Sequence, residues 1–285
     1  MININQLNFG YKKKETLFNE LDLQLVQGNI VGLLGKNGAG KTTLLKIISG
    51  LRFPRTGQCQ VMGYDAEKRN PELLREVYFL PEEFHVPAIT IARYVSLNAP
   101  FFPNFDKKQL DELVLEFDLP IKNKLTAFSY GQKKKFLIAF GLATNCKLFL
   151  LDEPTNGLDI PSKSQFRKIL TSSISPDRTF IISTHQVRDM DKLIDPIVIL
   201  DDGKVIFNHD IGKITDTLFM QIQNDEPDKN DVIHSEKTIG GYMTVKENSG
   251  QEQSLIDLET LFNSVISAPQ KMNELFGNGR SDKNE

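Results

Sequence analysis

Cysteine is nearly absent from this chain. Only Cys59 and Cys146 occur in 285 residues, and they form no C-x-x-C pair. A disulfide framework and a cysteine-based zinc site are thereby excluded, and a reducing compartment is implied. Long apolar runs are missing too. The most apolar window, Phe136 to Leu151, is broken by Thr144, Asn145 and Lys147, and it falls short of the roughly 18–20 residues that a membrane span needs. The opening MININQLNFGYKKK lacks the charged-then-apolar layout of a secretion signal. Nor does one sign of charge dominate. The 34 basic and 37 acidic residues leave a formal −3, which removes the wholesale basic character of a sequence-independent nucleic-acid binder. No internal repeat is found. These absences predict a soluble chain of one or two domains, able to work at a membrane only as a subunit of something else.

The charge that is present is unevenly placed. Residues 221–285 hold 12 acidic and 6 basic side chains, against 25 and 28 in the remainder, so the tail differs chemically from the body. Within the body, residues 29–34 (NIVGLL) read as a buried strand entering a Gly-rich turn. From Lys41 the pattern turns helical until Gly50 and Pro54. Residues 2–8, 21–26 and 57–62 alternate like strands of a half-exposed sheet. From about Glu82 to Asn145 the chain is mostly helical, with Leu110, Leu113, Val114 and Phe117 at i, i+3, i+4 and i+7. Apolar strands return at 147–151, 179–183 and 197–200. Strands alternating with helices predict an α/β fold with a parallel sheet covered on both faces, interrupted by a helical insertion. Asp201 onward reads as a turn into a closing strand. Residues 223–237 read as a polar, acidic linker or excursion, and residues 255–266 as a short amphipathic helix.

Gly35-Lys36-Asn37-Gly38-Ala39-Gly40-Lys41-Thr42 matches G-x-x-x-x-G-K-[ST] in full, after a buried strand and before a helix. Its glycines let consecutive backbone N–H groups form a nest around phosphates, and the helix N-terminus adds partial positive charge. Lys41 contributes a full charge, and the Thr42 hydroxyl suits Mg²⁺. A second acidic strand end supports the loop. Leu148–Leu151 runs into Asp152 and Glu153, and ligand sites in open α/β sheets lie at such tips. Asp152 would hold Mg²⁺ through its waters, and Glu153 would polarise an attacking water. The chain is read as a nucleotide-binding protein.

With these motifs in order, the sequence resembles the ATP-binding cassette (ABC) family, the nucleotide-binding subunits of ABC transporters, over residues 1 to about 210. Gly35 to Thr43 looks like the Walker A loop and Leu148 to Glu153 like Walker B. Phe128-Ser129-Tyr130-Gly131-Gln132 is similar to the LSGGQ signature, Gly157-Leu158-Asp159 to the D-loop, and Ser183-Thr184-His185 to the switch-histidine strand end. Tyr11, 24 positions before Gly35, fits the aromatic that stacks on adenine. The resemblance implies a P-loop NTPase fold with a RecA-like parallel core, an antiparallel β subdomain and an inserted α-helical subdomain at about 82–145. It implies ATP and Mg²⁺, and an ATP-binding domain over 1–215. Residues 216–270 are then a small extension and 271–285 a disordered tail.

The resemblance also implies a head-to-tail pair of cassettes with ATP in each interface. Lys36 to Thr43 of one copy would hold the phosphates, while Ser129, Gly131 and Gln132 of the other would close on the γ-phosphate. His185 would bridge to the opposite Asp159. The expected partners are a second copy of the chain and an integral membrane permease, at the cytoplasmic face of a membrane and of exporter type, with no nucleic acid. The alternative is a soluble ABC ATPase acting on ribosomes, DNA or cofactor assembly. Two positions depart from the family pattern. Tyr130 stands where the first signature glycine is expected, and Glu82 replaces the Q-loop glutamine, where it could still ligate Mg²⁺.

Other features have plainer readings. Lys133-Lys134-Lys135 is read as a solvated helix face rather than a nucleic-acid site. The segment NAPFFPNFD at 98–106 is either a platform for a permease helix or local packing of Phe101, Phe102 and Phe105. The helix near Leu258–Val265 is read as a small cap or dimer contact. His85, His209 and His234 share no metal-like spacing and receive no role.

Overall fold

The computed structural model describes residues 1–186, 190, 193–228, 230–250 and 256–277. In chain order the strands are β1 (Ile2–Phe9), β2 (Phe18–Leu25), β3 (Ile30–Leu34), β4 (Thr56–Val61), β5 (Tyr64–Asp65), β6 (Val77–Leu80), β7 (Leu148–Asp152) and β8 (Thr179–Thr184). They continue with β9 (Ile197–Asp201), β10 (Lys204–His209), β11 (Leu218–Gln223), β12 (His234–Thr238) and β13 (Gly241–Glu247). The α-helices are α1 (Lys41–Ile48), α2 (Pro71–Leu74), α3 (Ile91–Asn98), α4 (Lys107–Glu116), α5 (Tyr130–Ala143), α6 (Ile160–Ser172), α7 (Ile211–Thr217), α8 (Leu258–Ser267) and α9 (Pro269–Phe276).

The centre is a six-stranded sheet ordered β10-β9-β3-β8-β7-β6. All neighbours are parallel except β10, which closes one edge antiparallel to β9. Its inner strands β3, β7, β8 and β9 are buried along almost their whole length because both faces are covered, whereas the edge strand β10, KVIFNH, is mostly part-exposed. Alternation then decides which core each side chain joins. Ile30 and Leu34 of β3, Phe149 and Leu151 of β7, and Ile197 and Ile199 of β9 face a core shared with α5, α6 and the C-terminal region. Val31 and Leu33, Leu148 and Leu150, and Val198 and Leu200 face a second core. That core is shared with α1 and the antiparallel sheet β2-β1-β4-β5.

Between β6 and β7 the chain is helical, in α3, α4 and α5. Tyr78 of β6 donates its hydroxyl to the Leu137 carbonyl at 2.7 Å. A Cβ on Gly141 would stand 2.3 Å from the Tyr78 ring, so α5 lies against β6 as closely as a glycine allows. Phe102 and Phe105 pack on Phe140, while Phe101 stays 69% exposed. Packing therefore accounts for two of the three phenylalanines in NAPFFPNFD.

Three expectations need correction. β6 is a strand that the sequence reading left out. Its four residues VYFL, bounded by Arg75 and Glu76, are too few to show a period. The polar stretch 223–237, expected as a linker or excursion, is an excursion between two strands of one sheet rather than a linker. The region after Asp216 is structured. It holds the three-stranded sheet β11-β13-β12, covered by α8. The tail expected to be disordered from 271 is helical through Phe276, with Met272 and Phe276 buried. Residues 278–285, in the same expected tail, lie outside the described residues. The Phe276 ring packs on Phe207 at 5.0 Å and stacks on His209 at 4.8 Å, which fastens the C-terminal region to the edge strand β10. Burial there lowers the His209 pKa to about 4.

Candidate nucleotide site

The parallel register brings the C-terminal tips of β3, β8, β7 and β6 to one rim. Leu34 pairs with Thr184, Ser183 with Asp152, and Leu151 with Leu80. The loop Gly35–Gly40, the carboxylates Asp152 and Glu153, Glu82 and His185 therefore meet there. The loop turns into α1 through Gly40 at φ 108°, a left-handed conformation suited to glycine. Gly40 offers α1 no side-chain cap, and no acidic residue lies in the first turn. α3, α4, α5, α6 and α8 each begin on a side chain that accepts an amide: Thr90, Asp106, Ser129, Asp159 and Asp257. The first-turn amides of α1 are thus left for an anion.

The open cleft above the loop is lined by Tyr11, Lys36, Asn37, Gly38, Gly40, Lys41, Thr42, Thr43, Glu82, Asp152 and Glu153. Glu15, Thr16 and Leu17, which the sequence did not single out, also line it. Tyr11 is 55% exposed, and its hydroxyl lies 2.9 Å from Thr43 Oγ1. Lys41 is buried and donates to the Gly35 and Lys36 carbonyls at 2.6 and 3.2 Å. Burial lowers its pKa, opposed by the charges of Glu153, Asp152 and Glu82. The Thr42 hydroxyl donates to Asp152 Oδ2 at 2.7 Å, and the Ser183 hydroxyl to Asp152 Oδ1 at 2.5 Å.

Glu153 is 4% exposed. Its Oε1 lies 2.8 Å from His185 Nδ1, while its Oε2 is buried without a hydrogen-bond partner. Burial raises its pKa, and the hydrogen bond and charge of His185, then Lys41, oppose the rise. Its backbone sits at φ 46°, a conformation uncommon for a side chain of this size. Its N–H donates to Ser183 at both O and Oγ, each at 3.1 Å.

The remaining expected residues stand outside this cleft. Ser129 and Gln132 cap α5 reciprocally. Gln132 Oε1 accepts the Ser129 N–H at 3.0 Å, and Ser129 Oγ accepts the Gln132 N–H at 3.2 Å. That is the capping box of a helix N-terminus, and it leaves Gln132 occupied within its own turn. Gly131 lies in the same turn. Asp159 caps α6 by accepting the Ser162 N–H at 2.9 Å, and hydrogen bonding from Ser162 lowers its pKa. Gly35 and Ala39 shape the loop beneath the cleft.

One reading is overturned here. Lys134 does not belong to a solvated face. It is 0% exposed and donates to the carbonyls of Glu153 and Asn156 at 2.9 and 2.8 Å. Burial lowers its pKa to about 8, opposed by Glu82, Glu153 and Asp152. In sequence it is the middle of three identical lysines, and only the seat of α5 under the turn after β7 distinguishes it.

The donors fit the expected groups. The hydroxyl of Thr42 and the carboxylates of Asp152 and Glu82 are hard oxygens of the kind Mg²⁺ prefers beside phosphates. Among the described residues no three His, Cys, Asp or Glu side chains converge as a site of their own. An ion shared with phosphate oxygens needs no such cluster. The Glu153 Oε2 is a buried acceptor without a partner, which a bound donor would satisfy.

The family model for the ABC transporter matches residues 18–156. The ABC transporter ATP-binding protein YtrB of Bacillus subtilis (strain 168) is 26% identical over 225 residues, covering 78% of this chain and 76% of that protein. The lantibiotic transport ATP-binding protein SrtF of Streptococcus pyogenes is 31% identical over 220 residues, covering 72% and 89%. A solved dimeric ATP-binding cassette in a post-hydrolysis state, bound to ADP and Pi, shares the fold. Its TM-score is 0.66 at 23% identity, over 74% of this chain and 99% of that one. No helix among the described residues is long and apolar enough to cross a membrane.

Proposed function

The chain belongs to the ABC transporter ATP-binding family, and from that premise we propose that it hydrolyses ATP as the nucleotide-binding subunit of a transporter whose membrane permease is a separate chain. The observation that carries this reading is the Glu153–His185 pair. A buried carboxylate with one oxygen held at 2.8 Å and the other without a partner is an oriented acceptor of the kind a general base requires. Lys36 to Thr43 would hold the phosphates and Tyr11 the base. Thr42 and Asp152, with Glu82 beside them, would hold Mg²⁺, which would supply neutralisation of phosphate charge. Glu153 takes the proton of the attacking water, and His185 keeps its carboxylate turned to the cleft.

The second half of the site would come from another copy of the chain. Ser129, Gly131 and the N-terminus of α5 would face the γ-phosphate held by the first copy, positioning and neutralising it as phosphoryl transfer requires. The related cassette bound to ADP and Pi is a dimer, which supports this arrangement. Asp159 and His185 would meet across that interface. Leu97 and Phe101, exposed on the helical insertion, support a docking face for an exporter-type permease on the cytoplasmic side of a membrane.

Phosphate release by the purified chain tests the chemistry. The wild type is expected to turn over ATP, and Glu153→Gln to lose about 100-fold or more in rate while still binding ATP. Turnover that survives this change refutes the assignment. A mild-detergent pull-down from membranes is expected to bring a polytopic membrane protein. Recovery with ribosomes or nucleic acid instead would sink transport.

A further inference from the structure

The two departures from the family pattern, Tyr130 and Glu82, touch each other. The Tyr130 hydroxyl donates to the Glu82 carbonyl at 2.8 Å, and the Asn156 amide donates to Glu82 Oε1 at 2.9 Å. Asn156 in turn gives its carbonyl to the Lys134 ammonium, which lies 5.3 Å beneath the Tyr130 ring. The four residues form a closed ring of contacts joining the start of α5, the loop after β6 and the turn after β7. Tyr130 is further fixed by stacking on Phe84 at 5.2 Å and by its fit over Gly157, where a Cβ would come within 2.6 Å of its ring.

We propose that Lys134 is a positioning residue for hydrolysis, holding the Glu153 carbonyl from beneath Tyr130 and thereby fixing the carboxylate on which the reaction depends. The reason lies in the backbone of Glu153. A non-glycine residue at φ 46° stays there only when its surroundings hold it. Ser183 takes its N–H, His185 takes its carboxylate, and Lys134 takes its carbonyl. Removing the last of these frees the turn to pivot about the other two. Packing alone does not call for an ammonium here, since an apolar side chain of similar length fills the same space without the cost of burying a charge. Two carbonyls and the face of an aromatic ring account for the three directions in which that ammonium can donate.

This proposal rests on the ATPase reading and extends it. In that reading the start of α5 faces the nucleotide of the second copy, so one buried side chain links it to the carboxylate acting on this copy's own nucleotide. The test compares Lys134→Met, which keeps length and loses donors, with Lys134→Gln, which keeps an amide donor. Steady-state ATP hydrolysis, binding of a fluorescent ATP analogue and thermal melting are measured on each.

Lys134→Met is expected to lower kcat on the order of 30-fold, as a small misplacement of a reacting group does, with KM and analogue binding within about threefold of wild type. Lys134→Gln is expected to recover much of that loss. Tyr130→Gly, which restores the family residue, is expected to slow hydrolysis, and adding it to Lys134→Met to cost little more. The proposal is overturned if Lys134→Met hydrolyses ATP as wild type does. It is equally overturned if both Lys134 variants lose binding, melting temperature and rate together. A wild type that does not hydrolyse ATP, or whose rate survives Glu153→Gln, overturns the ATPase reading and this proposal with it.

Discussion

At the phosphate loop, Lys41, Asp152 and Glu153 are buried and bonded to the chain's own backbone, hydroxyls and the His185 imidazole, whereas Ser129 and Tyr130 at the start of α5 are exposed. The first region puts its ionisable groups under burial and mutual charge, and two of their pKa values move as a result. The second spends its polar atoms on capping a helix. On the proposed function the first would act on a ligand held within the chain, and the second, a solvent-facing edge, on a ligand held by another copy. That edge is held from behind, where α5 is pressed on β6 through Tyr78 and Gly141.

That contrast can be broken most forcefully at Gly141. Gly141→Ala drives a methyl into the Tyr78 ring, and overpacking of this kind costs about 1–3 kcal/mol. Chemical denaturation is expected to show that loss, together with slower ATP hydrolysis, because α5 must shift from the sheet. Unchanged stability would mean that the exposed edge is not set by the core behind it.

Ser129→Ala is the next largest. It removes a helix cap worth about 1 kcal/mol and the hydroxyl proposed to face a second copy. Monomer ATP binding is expected to stay as it is while ATP-driven dimerisation, followed by light scattering, weakens. An equal loss of monomer binding would erase the distinction between the two regions.

The smallest effect sharpens the comparison through pH. Because burial raises the Glu153 pKa, hydrolysis is expected to climb with pH through a range above that of an ordinary carboxylate, as the base becomes ionised. The stability contribution has the opposite sign. A folded pKa above the unfolded one means that the native state binds more protons in that window, so stability falls as pH rises. Ser129→Ala is expected to leave the position of the rate profile unmoved, and Glu153→Gln to abolish the opposing trend in stability. A profile that shifts with Ser129 would place its titration at the wrong residue.

How much of this is legible in the sequence depends on whether the chemistry is contiguous. Gly35 to Thr42 carries its spacing, glycines, lysine and hydroxyl in one stretch, and Asp152-Glu153 announces itself by following an apolar strand. Lys134 is invisible for the opposite reason. Its meaning lies in two carbonyls 19 and 22 residues away, and helical periodicity cannot say what α5 rests on. Asn156 is hidden likewise, as is the bond from Ser183 to Asp152, and Glu15 to Leu17 reach the cleft only because the β1–β2 connection folds over it. The C-terminal sheet escapes notice because β12, HSEKT, is polar on both faces and gains its place by pairing with β13. Alternation reveals a strand only where one face is covered by apolar neighbours.

The order of strands in the central sheet bears on how the protein is made. β3, which ends in the phosphate loop, is flanked by β8 and β9, neither of which exists until the ribosome has passed Thr179 and then Ile197. The apolar strand IVGLL is therefore synthesised before either neighbour and waits for them while the intervening chain is translated. Parallel pairings of such separation form slowly and leave aggregation-prone edges exposed meanwhile. The loop after β3 thus becomes a rigid cradle only once Asp201, far downstream of it, has left the ribosome.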